Sequence, residues 1–145
     1  MRFNYKSYDH DILRPVIPIQ IIHKSTIVFY EVLIDSGADS NIFSSDIADI
    51  FGIDILQGEE GKVAGITGES RKLYYHYLDL RIGGILYKDV KVGFLREMGE
   101  YAYGVVGQKG FFDIFVVKFD LVKKEIDIKP RKQKYASIHK SYNKS

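Results

Sequence analysis

The sequence predicts a mostly β fold, a small closed barrel with one or two short helices. Short runs rich in β-branched and aromatic residues recur along the chain, and most of them end at a turn signal. Only one stretch carries a clear helical spacing of apolar residues. The 145 residues, of which 46% are apolar and 28% charged, suffice for one domain with a single core.

The first predicted strands lead to the most informative part of the chain. Residues 1–13 are polar, and we expect them to be loosely held. Arg14-Pro15 opens an apolar run over residues 16–22, whose prolines favour an edge strand or a strand start. Residues 27–34 form a second run, which stops at the turn signal Asp35-Ser36-Gly37.

A short helix is predicted directly after Ser44. The Ser44 hydroxyl suits the N-cap, and Asp46 suits the positive end of the helix dipole. Apolar positions within residues 47–51 share one helical face, and Gly52 is a natural residue for ending the helix.

Hairpins are predicted for the second half of the chain. Glycines at 65 and 68 place a hairpin tip at residues 65–68. Gly83-Gly84 is a two-residue turn between strands 73–82 and 85–94. After a short apolar run at residues 103–107, we expect one helical turn within 109–114. Two final strands, 115–121 and 125–128, are joined at Lys123-Lys124.

Composition and charge limit the function classes. The chain has no cysteine, its histidines lack metal-ligand spacing, and no Gly-Lys-Ser/Thr follows its glycines, so no cofactor is predicted. Without a signal-peptide pattern or a long apolar run, we expect a soluble, cytoplasmic protein with no membrane partner. The net charge of the chain is +2. Residues 129–145 carry a charge of +6, so residues 1–128 carry −4. This distribution favours a solvated basic tail over a nucleic-acid contact.

Three apolar residues, Val32-Leu33-Ile34, run straight into the carboxylate of Asp35. Asp35 therefore leaves the end of a buried strand, where Ser36 can fix a turn and Gly37 permits tight backbone geometry. A turn aspartate that only accepts backbone hydrogen bonds would fit the same residues. A phosphorylated degradation signal would need an exposed segment, which the preceding apolar residues disfavour.

The segment from Val32 to Asp39 resembles the Asp-Thr/Ser-Gly-Ala motif of retropepsin-like aspartic proteases. Three further places match this family in order: the strand after Arg14-Pro15, the glycine-rich flap at residues 63–68, and the second block Val105-Val106-Gly107. The resemblance covers about residues 14–130. Within the family, the sequence is similar to single-domain bacterial and cellular members. It implies a barrel of this acid-protease type with a flap hairpin, between an N-terminal segment 1–13 and a tail 131–145.

The resemblance implies a peptidase that uses two carboxylates sharing one proton. Asp35 would be catalytic, and Ser36 and Gly37 would form the turn that locks two active-site loops together. Because the chain holds a single Asp-Ser-Gly, the second carboxylate would come from a second copy. The implied substrate-binding residues are Leu33, Ala38, Asp39, Gly65, Ile66 and Val105.

The implied partner is therefore a second copy of the chain. Arg14 of one copy would pair with Asp39 of the other, and the strand at residues 125–128 would add to the interface. One position departs from the family, since Gln108 stands where an Arg usually pairs with the residue matching Asp39. The alternative function is a catalytically silent module that dimerises or binds peptides with the same fold.

Overall fold

The computed structural model describes residues 1–98 and 103–132. Within these residues one α-helix, α1 (Ser45–Phe51), and a 3-10 turn, Ile55–Gln57, accompany a series of strands. The strands, in chain order, are β1 (Arg2–Asn4), β2 (Lys6–Asp9), β3 (Ile12–Arg14), β4 (Val16–His23), β5 (Thr26–Ile34), β6 (Asn41–Ser44), β7 (Glu59–Ala64), β8 (Ser70–Ile82), β9 (Ile85–Leu95), β10 (Gly104–Val106), β11 (Phe115–Asp120) and β12 (Glu125–Pro130).

Six of these strands close into a barrel. Their order is β4-β5-β10-β6-β9-β8, and β8 pairs back onto β4 to complete the ring. The pairs β5–β10 and β6–β9 are parallel, whereas the hairpins β4–β5 and β8–β9 are antiparallel. The predicted mostly β fold with a small closed barrel is therefore confirmed.

Alternation along the strands fills the barrel with apolar side chains. In β4, for example, Ile17, Ile19 and Ile21 are buried, while Pro18 between them is exposed. Buried residues of the other barrel strands and of α1 complete the core. This close packing holds the ends of the strands, and therefore the loops that follow them, at fixed positions. The largest fully buried aromatic side chains are Phe43, Phe94, Phe111 and Phe115.

The predicted start and end of the helix and the predicted glycine turn are confirmed. The Ser44 hydroxyl accepts a hydrogen bond from the Asp46 N–H at 3.2 Å, and Gly52 ends α1 with a φ of 70°. Gly83 and Gly84 have φ values of 58° and 83°, as a tight two-residue hairpin turn requires.

The segment 109–114 forms a series of turns, and the predicted single helical turn is present only at its end, where the Phe115 N–H donates to the Phe111 carbonyl at 2.8 Å. The N–H groups of Phe112 and Asp113 donate five residues back, to the carbonyls of Gly107 and Gln108, at 3.1 Å each. Gly110, with a φ of +100°, interrupts any regular helix at this point.

Residues 2–14, most of which we expected to be loosely held, form strands. β1 pairs with β12, and the Met1 amine and carbonyl both bond to Ile128, at 2.9 and 2.8 Å. β2 and β3 form a hairpin, which an ion pair between Lys6 and Glu31 ties to the barrel at 2.6 Å. Long-range pairing outweighs the polar composition that suggested a loose segment.

β12 lies in the middle of a three-stranded sheet, between β1 and β11. Both of its hydrogen-bonding edges are thus occupied within one chain. β12 thus has no free edge for pairing with a partner's strand in the described part of the chain. The predicted contribution of residues 125–128 to the interface involves two copies and stays a prediction.

No helix among residues 1–98 and 103–132 is long and apolar enough to cross a membrane. Most of the predicted basic tail, residues 133–145, lies outside the described residues.

Candidate active site

The backbone on both sides of Asp35 is anchored. The Ile34 N–H donates to the Pro15 carbonyl at 2.9 Å, and the Asp35 N–H donates to the Val106 carbonyl at 3.0 Å. Asp35 therefore leaves β5 between the first barrel strand, β4, and the second block, β10. Its side chain is half-buried, so that one side of the carboxylate stays accessible.

The residues after Asp35 form a turn that holds its carboxylate. The Gly37 N–H donates to Asp35 Oδ1 at 2.9 Å, and the Ala38 N–H donates to the Asp35 carbonyl at 3.1 Å. A Cβ at position 37 would lie 3.2 Å from Oδ1, closer than most real Cβ contacts. A side chain at position 37 would therefore press on the Asp35 carboxylate, and Ser36 and Gly37 are exposed at the tip of the turn.

The loop after β10 clasps the active-site turn from its other side. The N–H groups of Gln108 and Lys109 donate to the carbonyls of Ala38 and Asp39, at 2.8 and 3.0 Å. The Gln108 side chain adds a bond from Nε2 to the Ser36 carbonyl at 2.9 Å. Residues 107–109, at the end of the second block, thus lie directly against residues 36–39 of the active-site turn.

Asn41 is a buried residue beside the active-site turn that the sequence analysis did not single out. It is fully buried, and its Nδ2 donates to the carbonyls of Gly110 and Lys91 at 3.1 and 3.3 Å. Its Oδ1 accepts from the Gly107 N–H at 3.1 Å. Asn41 therefore fixes the loop that carries Gln108, and a polar residue followed by the apolar Ile42-Phe43 was the available signal.

Leu33 and Val105 lie side by side at the ends of parallel strands. They are register partners, and Val105 also pairs with Ile42 on β6. Leu33 and Val105 are both half-buried, and Val105 packs on a small apolar cluster of Ile42, Leu73 and Leu95. An apolar surface thus borders the Asp35 turn. Leu73 is out of phase with the predicted alternation at residues 78, 80 and 82, so that alternation gave no signal for its burial.

β7 and β8 form a hairpin whose tip lies at residues 65–68, as predicted. Its tip is closed by bonds from the Gly68 N–H to the Gly65 carbonyl at 3.0 Å and from the Gly65 N–H to the Glu69 carbonyl at 3.3 Å. Gly68 has a φ of +81°, which favours glycine. Ile66 is fully exposed at the tip, so it has no packing partner there.

Arg14 is engaged by aromatic residues of its own chain. Its guanidinium lies 4.1 Å from the Tyr8 ring centroid and donates a hydrogen bond to the Tyr103 hydroxyl. Asp39 has an exposed side chain at the edge of the active-site turn. The predicted pair of Arg14 and Asp39 involves two copies, so it stays a prediction.

A closed six-stranded barrel with an Asp-Ser-Gly turn, clasped by a glycine-containing second block, defines the retropepsin-like class. A family profile described as "Aspartyl protease" matches residues 24–109, which include this turn and most of the clasping loop. The chain belongs to the aspartyl protease family.

Two solved structures are similar to this chain, and the first of them supports the fold. A retropepsin-like aspartic protease from Rickettsia conorii superposes with a TM-score of 0.63, at 14% identity, over 88% of this chain and 89% of that one. The EIAV protease, solved with an inhibitor, gives a TM-score of 0.48 at 16% identity, over 71% of this chain and 88% of that one. No curated protein matches the chain significantly.

Proposed function

We propose that two copies of this chain pair to form an aspartic endopeptidase, with one Asp35 from each copy. The observation that carries this proposal is the placement of Asp35: a half-buried carboxylate at a strand end, held by Gly37 and bordered by apolar Leu33 and Val105. The chain has a single Asp-Ser-Gly, so the second carboxylate of the dyad has to be supplied by the partner.

Hydrolysis would proceed without a covalent intermediate. Two carboxyl groups close together hold one proton between them, because both cannot ionise easily. The ionised group takes a proton from a water molecule, which attacks the peptide carbonyl, while the protonated group donates toward the carbonyl oxygen. The Gly37 N–H fixes Oδ1 of each Asp35 and so holds the plane of the carboxyl group during these transfers.

The surroundings of Asp35 fit an extended peptide with apolar side chains. Leu33 and Val105 would contact those side chains, and the backbone of Ala38 and Asp39 would pair with the substrate backbone. The β7–β8 hairpin would act as a flap that closes over the peptide with Gly65 and Ile66. The exposed Ile66 supports this role, because burial against a bound peptide would give it the packing it lacks.

A shared-proton dyad predicts a bell-shaped pH profile. Peptide hydrolysis should be fastest in mildly acidic solution and should fade at higher pH, because a dyad with both groups ionised has no proton to donate. Burial raises the pKa of Tyr30, the phenol that accepts a bond from the Ser44 N–H, so it stays neutral over this range. The test is kcat/KM from about pH 3 to about pH 9, with the fold followed by circular dichroism. A rate that still rises at the alkaline end would point to another chemistry.

The flap role predicts a kinetic effect of the tip glycines. Replacing both Gly65 and Gly68 by Val should lower kcat more than it lowers the melting temperature, because bulkier residues restrict opening and closing. No atom lies within 4 Å of a Cβ built at either position, so neither valine clashes with a neighbour, although valine at Gly68, where φ is +81°, adds backbone strain at the exposed tip.

Gly84→Val is the matched control for the flap variant. Gly84 has a φ of +83° and open space around it, much as Gly68 has. Valine at Gly84 therefore introduces a similar backbone strain in the β8–β9 turn, outside the proposed flap. A folded double variant with unchanged turnover would exclude a lid at residues 61–72.

A catalytically silent dimerisation or peptide-binding module is the second candidate. The absence of charge at Gln108, where the resembled family has an Arg, favours it. Cleavage of a peptide library by the wild-type chain, abolished in Asp35→Asn, separates the two functions.

A further inference from the structure

The Gln108 side chain reaches back over the active-site turn. Its main-chain N–H bonds to the Ala38 carbonyl at 2.8 Å, and its side-chain Nε2 bonds to the Ser36 carbonyl at 2.9 Å. Gln108 thus holds two carbonyls of the turn, one on each side of Gly37.

The Ser36 carbonyl and the Gly37 N–H belong to one planar peptide unit. The N–H end of this unit donates to Asp35 Oδ1 at 2.9 Å, while its carbonyl end accepts from Gln108. A planar unit rotates as one body, so whatever orients the carbonyl also aims the N–H at the carboxylate.

This peptide unit needs an external restraint. Ser36 and Gly37 are exposed, and Gly37 has no Cβ to limit its backbone rotation. Among the hydrogen bonds within the described residues, the Gln108 amide is the group that holds the Ser36 carbonyl. A bond at the carbonyl also polarises the peptide and strengthens its N–H as a donor.

We propose that Gln108 is a positioning residue that fixes the Ser36–Gly37 peptide and, through it, the Asp35 carboxyl group. Its effect on turnover rests on the proposed protease function, whereas its effect on the turn does not. An Arg, which the resembled family has here, would be drawn to the carboxylate matching Asp39. The neutral amide of Gln108 is instead directed to the Ser36 carbonyl.

Two substitutions of Gln108 separate hydrogen bonding from shape. Gln108→Met keeps the length of the side chain without a donor, and Gln108→Glu keeps its shape but opposes the Ser36 carbonyl with an acceptor. Lys109→Met is the control, since Lys109 is the exposed neighbour and its side chain makes no hydrogen bond or ion pair in the part of the chain that the structure describes.

The first readout is the Gly37 amide of the full-length protein, by NMR near neutral pH. Its exchange should be about fivefold faster in Gln108→Met and faster still in Gln108→Glu, with an upfield shift of the proton. The second readout is kinetic: kcat should fall about tenfold with little change in KM, because the carboxyl group is misaimed while the peptide still binds. Melting temperatures should stay close to the wild-type value.

A Gly37 amide that is unchanged in both Gln108 variants, or changed equally in Lys109→Met, would overturn the positioning role. The amide readout does not depend on catalysis, so it tests the inference even if the wild-type chain cleaves no peptide, a result that would overturn the proposed function alone. The two ideas therefore fail in different experiments.

Discussion

Replacing Asp35 by Asn should lower the rate of peptide cleavage by at least about 10³-fold, to background. Asn can supply neither the ionised base nor the protonated acid of the dyad. Its Oδ1 can still accept the Gly37 N–H, so the active-site turn should keep its geometry. The measurement is the initial rate of cleavage of a peptide library by mass spectrometry, together with the melting temperature and the dimer fraction.

Asp49→Asn is the matched control for this experiment. Asp49 is exposed on α1, and the substitution makes the same change in charge and shape away from the barrel end that carries Asp35. Its activity should equal that of the wild-type chain. Wild-type activity in Asp35→Asn itself would end the aspartic-protease proposal, whereas an inactive wild-type chain that still binds peptides would favour the silent module.

Short-range chemistry made much of the fold predictable from the sequence. The cap at Ser44, the stop at Gly52 and the Gly83-Gly84 turn depend on residues within a few positions of one another. Asp35 was predictable for the same reason, since an apolar strand, a carboxylate, a hydroxyl and a glycine are adjacent in the chain.

The parts that could not be predicted depend on partners far away in the sequence. The polar N-terminal residues gave no signal for the pairing of β1 with β12, which joins the two ends of the described chain. Asn41 meets Gly107 and Gly110 only after the barrel closes, and an isolated Asn is more typical of a turn. The contact between Gln108 and Ser36, 72 positions apart, is hidden from the sequence for the same reason.

The prediction on which the shared site depends is that Arg14→Ala shifts the dimer toward monomer. If Arg14 meets Asp39 of a partner, removal of Arg14 leaves that carboxylate without its cation in a partly desolvated interface. The dissociation constant should rise about 30-fold or more, and activity should fall most at low protein concentration. Sedimentation velocity across a concentration series measures the shift.

Arg14 also has partners in its own chain, so the experiment needs variants that separate the two sets of contacts. Tyr103→Phe removes the hydroxyl that Arg14 bonds to within the chain and leaves Asp39 untouched. Asp39→Asn removes the proposed partner charge and leaves the contacts of Arg14 with Tyr8 and Tyr103 in place.

An intersubunit pair predicts that Arg14→Ala and Asp39→Asn each weaken the dimer and that the double variant is no weaker than the worse single one. Tyr103→Phe should then have little effect on dimerisation. Both edges of β12 are occupied within one chain. The Arg14–Asp39 pair would therefore contribute a larger share of the binding energy than it would in a dimer whose terminal strands also pair with each other. A wild-type chain that stays monomeric at high concentration and still cleaves peptides would exclude both the pair and the shared active site.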